Sequence, residues 1–371
     1  MRIAIFAHSD IYMPGGINEV VRKTSDHLSG IGLDVRLIFP RKENVGDSNE
    51  MSPRNRNFDT PRLREPFNLS RKGTKFLLNE IEQFKPDILH VHSHMNLLSH
   101  QIIRNSAKTF PGLPIVLSPH FDDALSTSFL RPLFPFFNKT IGKKSGSLAT
   151  RVVFGSEFEA TSYYNSTGLS MKGSKIIPLG IDWAPKSSVV RIDKELKMIY
   201  CGHIIKRKRV DRIVRLYHNL RSKLSENSIS LTIAGEGKEK TYITNLAKKL
   251  DVYDEIFWEG FLDRKSMIEK LEESHIFVLL SDSEAFGITV SEMLGLGRMA
   301  LISDKTALSA YRSEPGVIIA EDPDDFDAMG MMVANLFGKG VQVGPFSDRI
   351  RSWKAVAEDY HKMYSKLIED L

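Results

Sequence analysis

The stretch "SDSEAFGITVSEMLGLG" (Ser281–Gly297) decides how the C-terminal half of the chain is interpreted. It follows an apolar run, "HIFVLL" (His275–Leu280), which is typical of a short buried strand. Glu284 and Glu292 enclose seven residues, with Gly287 among them. We therefore expect the strand to end just before Glu284 and a helix to begin near Gly287, which places Glu292 about one turn inside the helix.

Both carboxylates of this stretch would border one helix N-terminus, where backbone amides and the helix dipole favour phosphate. In an open α/β sheet, ligands bind beyond the carboxyl ends of the strands. Carboxylates so near a phosphate would repel it unless they bind neutral groups attached to it, and sugar hydroxyls are such groups. The pattern therefore favours a nucleotide sugar. The alternative is a pair of acids that only stabilise the helix dipole.

The rest of the chain alternates strand-like and helix-like segments. Strand candidates in the first half include "RIAIFAH", "DVRLIFP" and "DILHVHS", and those in the second half include "LKMIYCG", "ISLTIAGEG" and "RMALISD". Such alternation is typical of parallel sheets that are covered on both faces. We predict an α/β protein with two doubly wound domains joined near Gly180–Ser188, a long loop between Arg41 and Pro66, and a final amphipathic helix.

Composition limits the class of protein. A length of 371 residues suggests two domains, and a net charge of +5 fits a partner that carries phosphate. The one cysteine, Cys201, allows no intrachain disulfide and favours a reducing compartment. No signal-peptide pattern and no long apolar run are present, so we expect a cytoplasmic protein.

Two other patterns offer alternative functions. "KRKR" (Lys206–Arg209) could indicate a nucleic-acid patch, but no basic stripe interleaved with aromatic residues accompanies it, so no nucleic-acid partner is expected. The histidines His90, His92 and His94 could hold a metal. No cysteine or acid cluster joins them, so packed or pocket-lining histidines are the preferred interpretation.

The segment Ala124–Ser156 contains no acidic residue. It combines "FLRPLFPFF" with basic residues at Arg131, Lys139, Lys143, Lys144 and Arg151. A basic, aromatic-rich patch can lie on an anionic membrane surface, which would make the protein peripheral on the inner membrane face. Core packing of these aromatic residues is the alternative. Pro132 and Pro135 are expected to break any long helix.

The opening stretch also resembles the Glu-x7-Glu motif of retaining glycosyltransferase family 4 (glycosyl transferases group 1). Similar motifs follow the family order along the chain: "MPGGINEVV", "KPDILHVHSH", "LPIVLSPHF", "KIIPLGID", "YCGHIIKRKRVD", "LTIAGEGKEK" and "SWKAVAEDYHKMY". The resemblance implies the GT-B fold, with two Rossmann-like domains facing across a cleft and a C-terminal helix that crosses back to the first domain. The implied domains are an acceptor-binding domain (1–182), a nucleotide-sugar-binding domain (183–352) and the final helix (353–371).

The resemblance assigns roles at the predicted helix. Glu292 would bind the ribose hydroxyls, and Glu284 would hold the hydroxyls of the donor sugar. Backbone amides would assist, with those of Phe286 and Gly287 at the sugar and those of Ile288 and Thr289 at the phosphates.

The resemblance assigns further roles elsewhere in the chain. Lys208, helped by His203, would neutralise the diphosphate. The Gly15–Gly16 loop would approach the donor so closely that a Cβ would clash. His120 would lie at the reacting centre, so that His120 and Glu284 are the expected catalytic residues.

The chain departs from the family pattern at three positions. His203 stands where the family usually has arginine, Arg209 replaces a glycine, and Leu179 replaces an asparagine. Because histidine changes its charge near physiological pH and arginine does not, we expect donor affinity to weaken as the pH rises.

The resemblance implies a retaining hexosyltransferase that requires no metal or other cofactor. It would move a sugar from a nucleotide diphosphate sugar to a hydroxyl of a glycan, a lipid-linked molecule or a small molecule. The leaving diphosphate would accept the acceptor's proton in a front-face displacement. The alternatives are a sugar-nucleotide epimerase of the same fold and a non-catalytic sugar-nucleotide-binding protein. The base, the sugar and the acceptor stay open.

Overall fold

The computed structural model describes residues 1–13, 15–41, 54–59, 69–121, 131–171, 173–224 and 228–370. The described chain divides into two compact units. The first unit comprises Met1–Leu179 together with Trp353–Leu371, and the second comprises Gly180–Ser352. The first unit is therefore built from two separate parts of the sequence.

Among the described residues, the first unit holds a seven-stranded parallel sheet in the order β3-β2-β1-β4-β5-β6-β7. Its strands are β1 (Arg2–Phe6), β2 (Asp34–Arg41), β3 (Asn55–Asp59), β4 (Ile88–His92), β5 (Ile115–Ser118), β6 (Arg151–Phe154) and β7 (Ser174–Ile176). Ile3 pairs with Val35 on one side and with Ile88 on the other. The central strands are buried continuously because helices cover both faces of a parallel sheet.

Strand β3 corrects the prediction of one long loop between Arg41 and Pro66. The strand pairs with β2, and Phe58 is buried against Phe6 and Phe76. Phe58 is the one apolar residue of β3, so the polar composition of the strand hid it from a search for apolar runs. Residues 42–53 and 60–66 lie outside the described residues.

The helices of the first unit that precede the junction are α1 (Gly16–Gly30), α2 (Arg71–Phe84), α3 (Leu97–Thr109), α4 (Phe134–Phe137), α5 (Lys143–Leu148) and α6 (Glu157–Thr167). A π-helical turn (Asn138–Gly142) joins α4 to α5, so residues 131–148 form one continuous helical segment. The expected break at Pro132 and Pro135 is wrong. Both prolines lie in the first turns, where the missing amide has no helical partner to lose.

The second unit repeats the doubly wound plan. Its described strands are β8 (Ser188–Arg191), β9 (Leu196–Cys201), β10 (Ile229–Ala234), β11 (Ile256–Gly260), β12 (Ile276–Leu279), β13 (Met299–Ser303), β14 (Val317–Ala320) and β15 (Gly340–Val343). In this part of the described chain, six strands form a parallel sheet in the order β11-β10-β9-β12-β13-β14. Strands β8 and β15 form a separate antiparallel pair. The prediction of two parallel-sheet, Rossmann-like domains is confirmed.

The helices of the second unit are α7 (Val210–Lys223), α8 (Lys240–Lys249), α9 (Arg264–Glu273), α10 (Ile288–Gly295) and α11 (Phe326–Ala334). The last helix, α12 (Trp353–Glu369), belongs to the first unit, where it packs against α1. Its Tyr364 hydroxyl lies 2.7 Å from Nδ1 of His90, a fully buried residue of β4. The other ring nitrogen of His90 lies 2.8 Å from Ser118 Oγ.

None of the described helices is long and apolar enough to span a membrane.

Candidate functional site

The site predicted in the second unit lies where the strand order of its sheet reverses. Strands β9 and β12 are neighbours there although they are far apart in sequence. The chain leaves β9 at Cys201 toward Lys208, and it leaves β12 at Leu279 toward Glu284. Ligands of doubly wound sheets bind at such a reversal, beyond the carboxyl ends of the strands.

Helix α10 begins at Ile288, directly after Gly287. Gly287 has a φ of 86°, in the left-handed region, and a Cβ placed there would lie 2.5 Å from Leu308 Cδ2. Both facts require glycine at this position. Phe286 is buried against Tyr311, with ring centroids 6.0 Å apart. The amides of Ile288 and Thr289 fall in the first turn, where helical amides have no intrahelical acceptor.

Glu284 is buried beside the helix N-terminus, with 6% of its surface exposed. Its Oε1 accepts a hydrogen bond from Ser281 Oγ at 2.8 Å and forms an ion pair with Lys208 Nζ. The Glu284 carbonyl accepts from the amide of Ala307 at 3.2 Å. The carboxylate of Glu284 is therefore held by residues that follow both β9 and β12. Its negative charge is balanced by Lys208, which was predicted to face the diphosphate.

Glu292 lies on α10 and is 3% exposed. Its Oε1 lies 2.6 Å from a guanidinium nitrogen of Arg264, the first residue of α9. Arg264 also donates to Asp182 Oδ2, at 2.8 and 3.1 Å. Each of the two site carboxylates thus has its own cation, Lys208 for Glu284 and Arg264 for Glu292.

The loop after β9 holds the remaining predicted residues of this unit. His203 is exposed, and its carbonyl accepts from Tyr200 Oη at 2.8 Å. Arg209 has a φ of 49°, the left-handed conformation that explains why the family usually has glycine there. Its guanidinium donates to Asp211 at 3.0 Å and pairs with Asp282 at 3.3 Å, contacts that a glycine could not make.

His120 follows β5 in the first unit and has a φ of 48°. Its Nε2 lies 2.9 Å from Nδ1 of His92, at the end of β4. Burial, and to a smaller extent the neighbouring His8, lower the pKa of His120 to about 3. Burial also lowers the pKa of His8 to about 4. These imidazoles are therefore neutral at pH 7, which suits them to hydrogen bonding.

A buried carboxylate holds the backbone next to His120. Glu159, on the first turn of α6, accepts from the amide of Phe121 at 2.9 Å and from that of Gly155 at 2.8 Å. Ser156 caps the same helix by accepting from the Glu159 amide at 3.1 Å. The Ser-x-x-Glu spacing of a capping box was visible in the sequence, but its contact with the His120 loop was not.

Gly15 and Gly16 lie at the N-terminus of α1. A Cβ on Gly15 would meet only Asn18 Nδ2, at an ordinary 3.6 Å, and a Cβ on Gly16 would meet no described atom within 4 Å. The packing of the described chain does not require either glycine. The close approach of a donor to these glycines therefore stays a prediction.

The predicted residues thus form two groups. Gly15, Gly16 and His120 belong to the first unit. Those of the second unit are His203, Lys208, Glu284, Phe286, Gly287, Ile288, Thr289 and Glu292. The described residues contain no cluster of three or more histidine, cysteine, aspartate or glutamate side chains arranged to hold a metal.

Sequence reasoning missed several residues that hold the site together. Arg264 and Asp182 are 82 residues apart in sequence, and no motif links them. Ser281 was inside the quoted stretch, three residues before its partner Glu284, but serine is common at strand ends. Only the alternation of "HVHS" pointed to His92, which was interpreted as a packed or pocket-lining residue.

Comparisons with known proteins agree with this fold. The sequence profile of the family described as Glycosyltransferase Family 4 matches residues 14–184, and that described as Glycosyl transferases group 1 matches residues 184–325. The O-antigen biosynthesis glycosyltransferase WclY of Escherichia coli is 30% identical over 105 residues, which are 28% of this chain and 27% of that relative.

Two solved structures illustrate the shared fold. Sucrose-phosphate synthase from Thermosynechococcus elongatus superposes with a TM-score of 0.78 at 17% identity, over 100% of both chains. HepE of Anabaena, solved in complex with UDP and glucose, superposes with a TM-score of 0.66 at 11% identity, over 100% of both chains. From the two profiles, the relative and this architecture, the chain belongs to the group 1 glycosyltransferases of family 4 and has the GT-B fold.

Proposed function

We propose that the protein moves a sugar from a nucleoside diphosphate sugar to an acceptor hydroxyl and retains the anomeric configuration. The observation that carries the proposal is the pair of buried carboxylates, Glu284 and Glu292, at the N-terminus of α10. Carboxylates at a phosphate-attracting helix end suit a ligand with hydroxyls on both sides of a diphosphate. Glu292 would take the ribose hydroxyls and Glu284 those of the transferred sugar.

Lys208 would supply the positive charge that the leaving diphosphate needs. It lies beside Glu284, so the ammonium can be shared between that carboxylate and a phosphate oxygen. The amides of Ile288 and Thr289 would contribute further donors. With these groups in place we propose a reaction that needs no metal ion.

The reaction breaks the bond between the anomeric carbon and the diphosphate oxygen. The acceptor oxygen forms its bond to the same face of that carbon, and its proton passes to the departing diphosphate. Neutral His120 would hydrogen-bond the transferred sugar at this centre. Gly15 and Gly16 would let the backbone come close to the donor.

The relatives support this class of reaction. WclY is a glycosyltransferase of O-antigen biosynthesis, and HepE was solved in complex with UDP and glucose. We propose by analogy a nucleoside diphosphate hexose as donor and a glycan, lipid-linked or small-molecule hydroxyl as acceptor.

The proposal is tested in two steps. UDP-, GDP-, ADP- and dTDP-sugars are first compared by thermal shift, because a bound ligand raises the unfolding temperature. The donor that binds is then incubated with and without acceptor hydroxyls in the presence of EDTA. We expect nucleoside diphosphate release only with acceptor, and a product with the anomeric configuration of the donor. Isomerised nucleotide sugar formed without acceptor would indicate the epimerase. Binding of a donor without any turnover would indicate the non-catalytic protein. A product with inverted anomeric configuration would contradict retention.

The helical segment 131–148 supports a membrane partner. Its exposed apolar face consists of Leu133 (60% exposed), Phe136 (72%), Ile141 (41%) and Leu148 (36%). Phe136 and Ile141 are five residues apart across the π-helical turn, which brings them onto similar sides of the segment. We propose that this face lies on an anionic bilayer.

Three exposed lysines on the same segment complement the negative charge of such a bilayer. They are Lys139, Lys143 and Lys144. Changing all three to glutamate should release the protein from anionic vesicles at low salt, since each basic residue contributes about 1 kcal/mol. Equal binding by the wild type and this variant, or no binding by either, would contradict the proposal.

A matched control changes the same amount of charge elsewhere in the first unit. Lys72, Lys75 and Lys362 are exposed on α2 and α12. Their triple change to glutamate should leave vesicle binding much less affected. Equal release by both triple variants would mean that net charge, and not this face, controls binding.

A further inference from the structure

Arg264 joins two distant segments of the second unit. Its guanidinium lies 2.6 Å from Glu292 on α10 and 2.8 Å from Asp182, which precedes β8. The indole of Trp183 lies beneath the guanidinium, with 5.9 Å between the guanidinium carbon and the ring centroid. Arg264 itself begins α9, so the contact ties the start of one helix to the interior of another.

The burial of the partners shows which of them depends on the ion pair. Glu292 is 3% exposed in this pair, whereas Arg264 is 32% exposed and Asp182 is 20% exposed. Removing a carboxylate so far from water is costly, and a nearby positive charge with good geometry offsets this cost. The guanidinium of Arg264 is held in place by its two hydrogen bonds to Asp182 and by its contact with Trp183. A guanidinium held in this way also fixes the position of the Glu292 oxygen that it contacts.

We propose that Arg264 is a positioning residue for the nucleoside end of the donor. It orients the carboxylate of Glu292, and it thereby sets the preference for ribose over 2′-deoxyribose. The inference rests on the proposed function, in which Glu292 accepts hydrogen bonds from the ribose. Glu284 has its own cation in Lys208, so the sugar end of the donor does not depend on Arg264.

The test measures the affinities of UDP, GDP and ADP, each against its 2′-deoxy form, by calorimetry. For the diphosphate that binds, we expect the wild type to prefer the ribose form about tenfold or more, because a hydrogen bond to a charged group is lost in the deoxy form. Arg264→Met should reduce this preference to about twofold. Arg264→Lys, which keeps the charge, should retain part of it.

Lys265→Met is the matched control. Lys265 is the next residue of α9 and is 88% exposed, and its substitution by methionine removes the same positive charge as Arg264→Met. It should keep the full preference for ribose. Arg264→Gln gives a second neutral variant if the methionine variant does not fold, and thermal unfolding identifies which variants are folded.

A double variant shows whether Arg264 acts through Glu292. Arg264→Met combined with Glu292→Gln should lower the ribose preference no further than Glu292→Gln alone. If Arg264→Met and Arg264→Gln keep the full preference while Glu292→Gln loses it, the inference is wrong and the proposed function stands. If Glu292→Gln also keeps the preference, or if none of the three diphosphates binds, the proposed role of Glu292 is itself wrong.

Discussion

Gly287 combines a left-handed backbone with a close neighbour, Leu308. Gly287→Ala should lower the free energy of unfolding by about 2 kcal/mol. About 1–2 kcal/mol comes from the left-handed conformation, and displacement of the leucine adds to it. Urea unfolding measures the change, and an unaltered midpoint would show that the loop relaxes at no cost.

Gly16 is the opposite case, because a Cβ there meets no described atom within 4 Å. Gly16→Ala at the start of α1 should leave stability unchanged or raise it by about 0.5 kcal/mol, since alanine restricts the unfolded chain more than glycine does. Donor affinity should nevertheless fall, because the methyl group would occupy the path of the donor. A variant with normal donor affinity would remove Gly16 from the proposed site.

The two site carboxylates should be separable by ligand. Glu292→Gln should weaken binding of both the nucleoside diphosphate and its sugar, by about 1.5–3 kcal/mol for a lost charge-assisted hydrogen bond. Glu284→Gln should impair only the nucleotide sugar, because the plain diphosphate lacks the group that it would hold. Calorimetry with both ligands checks this, and equal losses in all four titrations would contradict the division of roles.

Single residues of the site could be predicted from the sequence where their type and spacing alone indicate a function. Glu284, Gly287 and Glu292 share one short stretch, and the helix begins at Ile288 as their spacing predicts. Arg264 and Asp182 could not be predicted, because their importance arises only where two distant segments meet.

Among the elements, the loop after β9 carries the exposed His203. If this ring faces the donor's diphosphate, donor affinity should fall as the pH rises from about 6 to 9, because histidine loses its charge near physiological pH and arginine keeps it. His203→Arg should flatten the curve. Parallel curves for both proteins would assign the charge to a neighbouring arginine instead.

Helix α12 is attached to the first sheet by the hydrogen bond between Tyr364 and His90. Tyr364→Phe should lower the free energy of unfolding by about 1–3 kcal/mol, since it leaves a buried ring nitrogen without its partner. Tyr242→Phe, at a half-exposed tyrosine of the second unit, should change it by less than about 0.5 kcal/mol. Equal effects of the two variants would mean that the buried hydrogen bond adds no stability.

The elements were predicted well where apolar runs are long and poorly where they are not. The buried strands β1, β4, β9 and β12 were all recognisable as apolar runs. The short pair of β8 and β15 was missed because each strand has four residues and gains its partner only in the folded unit.

Across the whole molecule, buried histidines are concentrated in the first unit. Burial lowers the pKa of each of these residues below 6.5: His8, His90, His92, His94, His100 and His120. The unfolded chain takes up protons as the pH falls below about 6.5, whereas the folded unit resists protonation until about pH 4 or lower. Stability contributed by these groups is therefore present above pH 6.5 and is lost progressively below it.

His100→Gln should reduce this acid sensitivity. The amide of glutamine can replace Nε2 of His100, which donates to the His94 carbonyl at 2.6 Å, but it cannot titrate. The slope of unfolding free energy against pH should fall by up to about 1.4 kcal/mol per pH unit between pH 6 and 4.5. Fluorescence of the buried Trp353, in a chain carrying Trp183→Phe and Trp258→Phe, reports the first unit, and an unchanged slope would contradict the prediction.

The division of the first unit into two separated parts of the sequence has a consequence for synthesis on the ribosome. The contiguous segment Gly180–Ser352 can fold as soon as it leaves the exit tunnel, although domains generally fold in order from the N-terminus. The first unit is complete only once α12 has been made, and until then His90 lacks its tyrosine partner in the nascent chain. A premature stop codon directly after residue 352 would therefore leave the sheet of the first unit without α12.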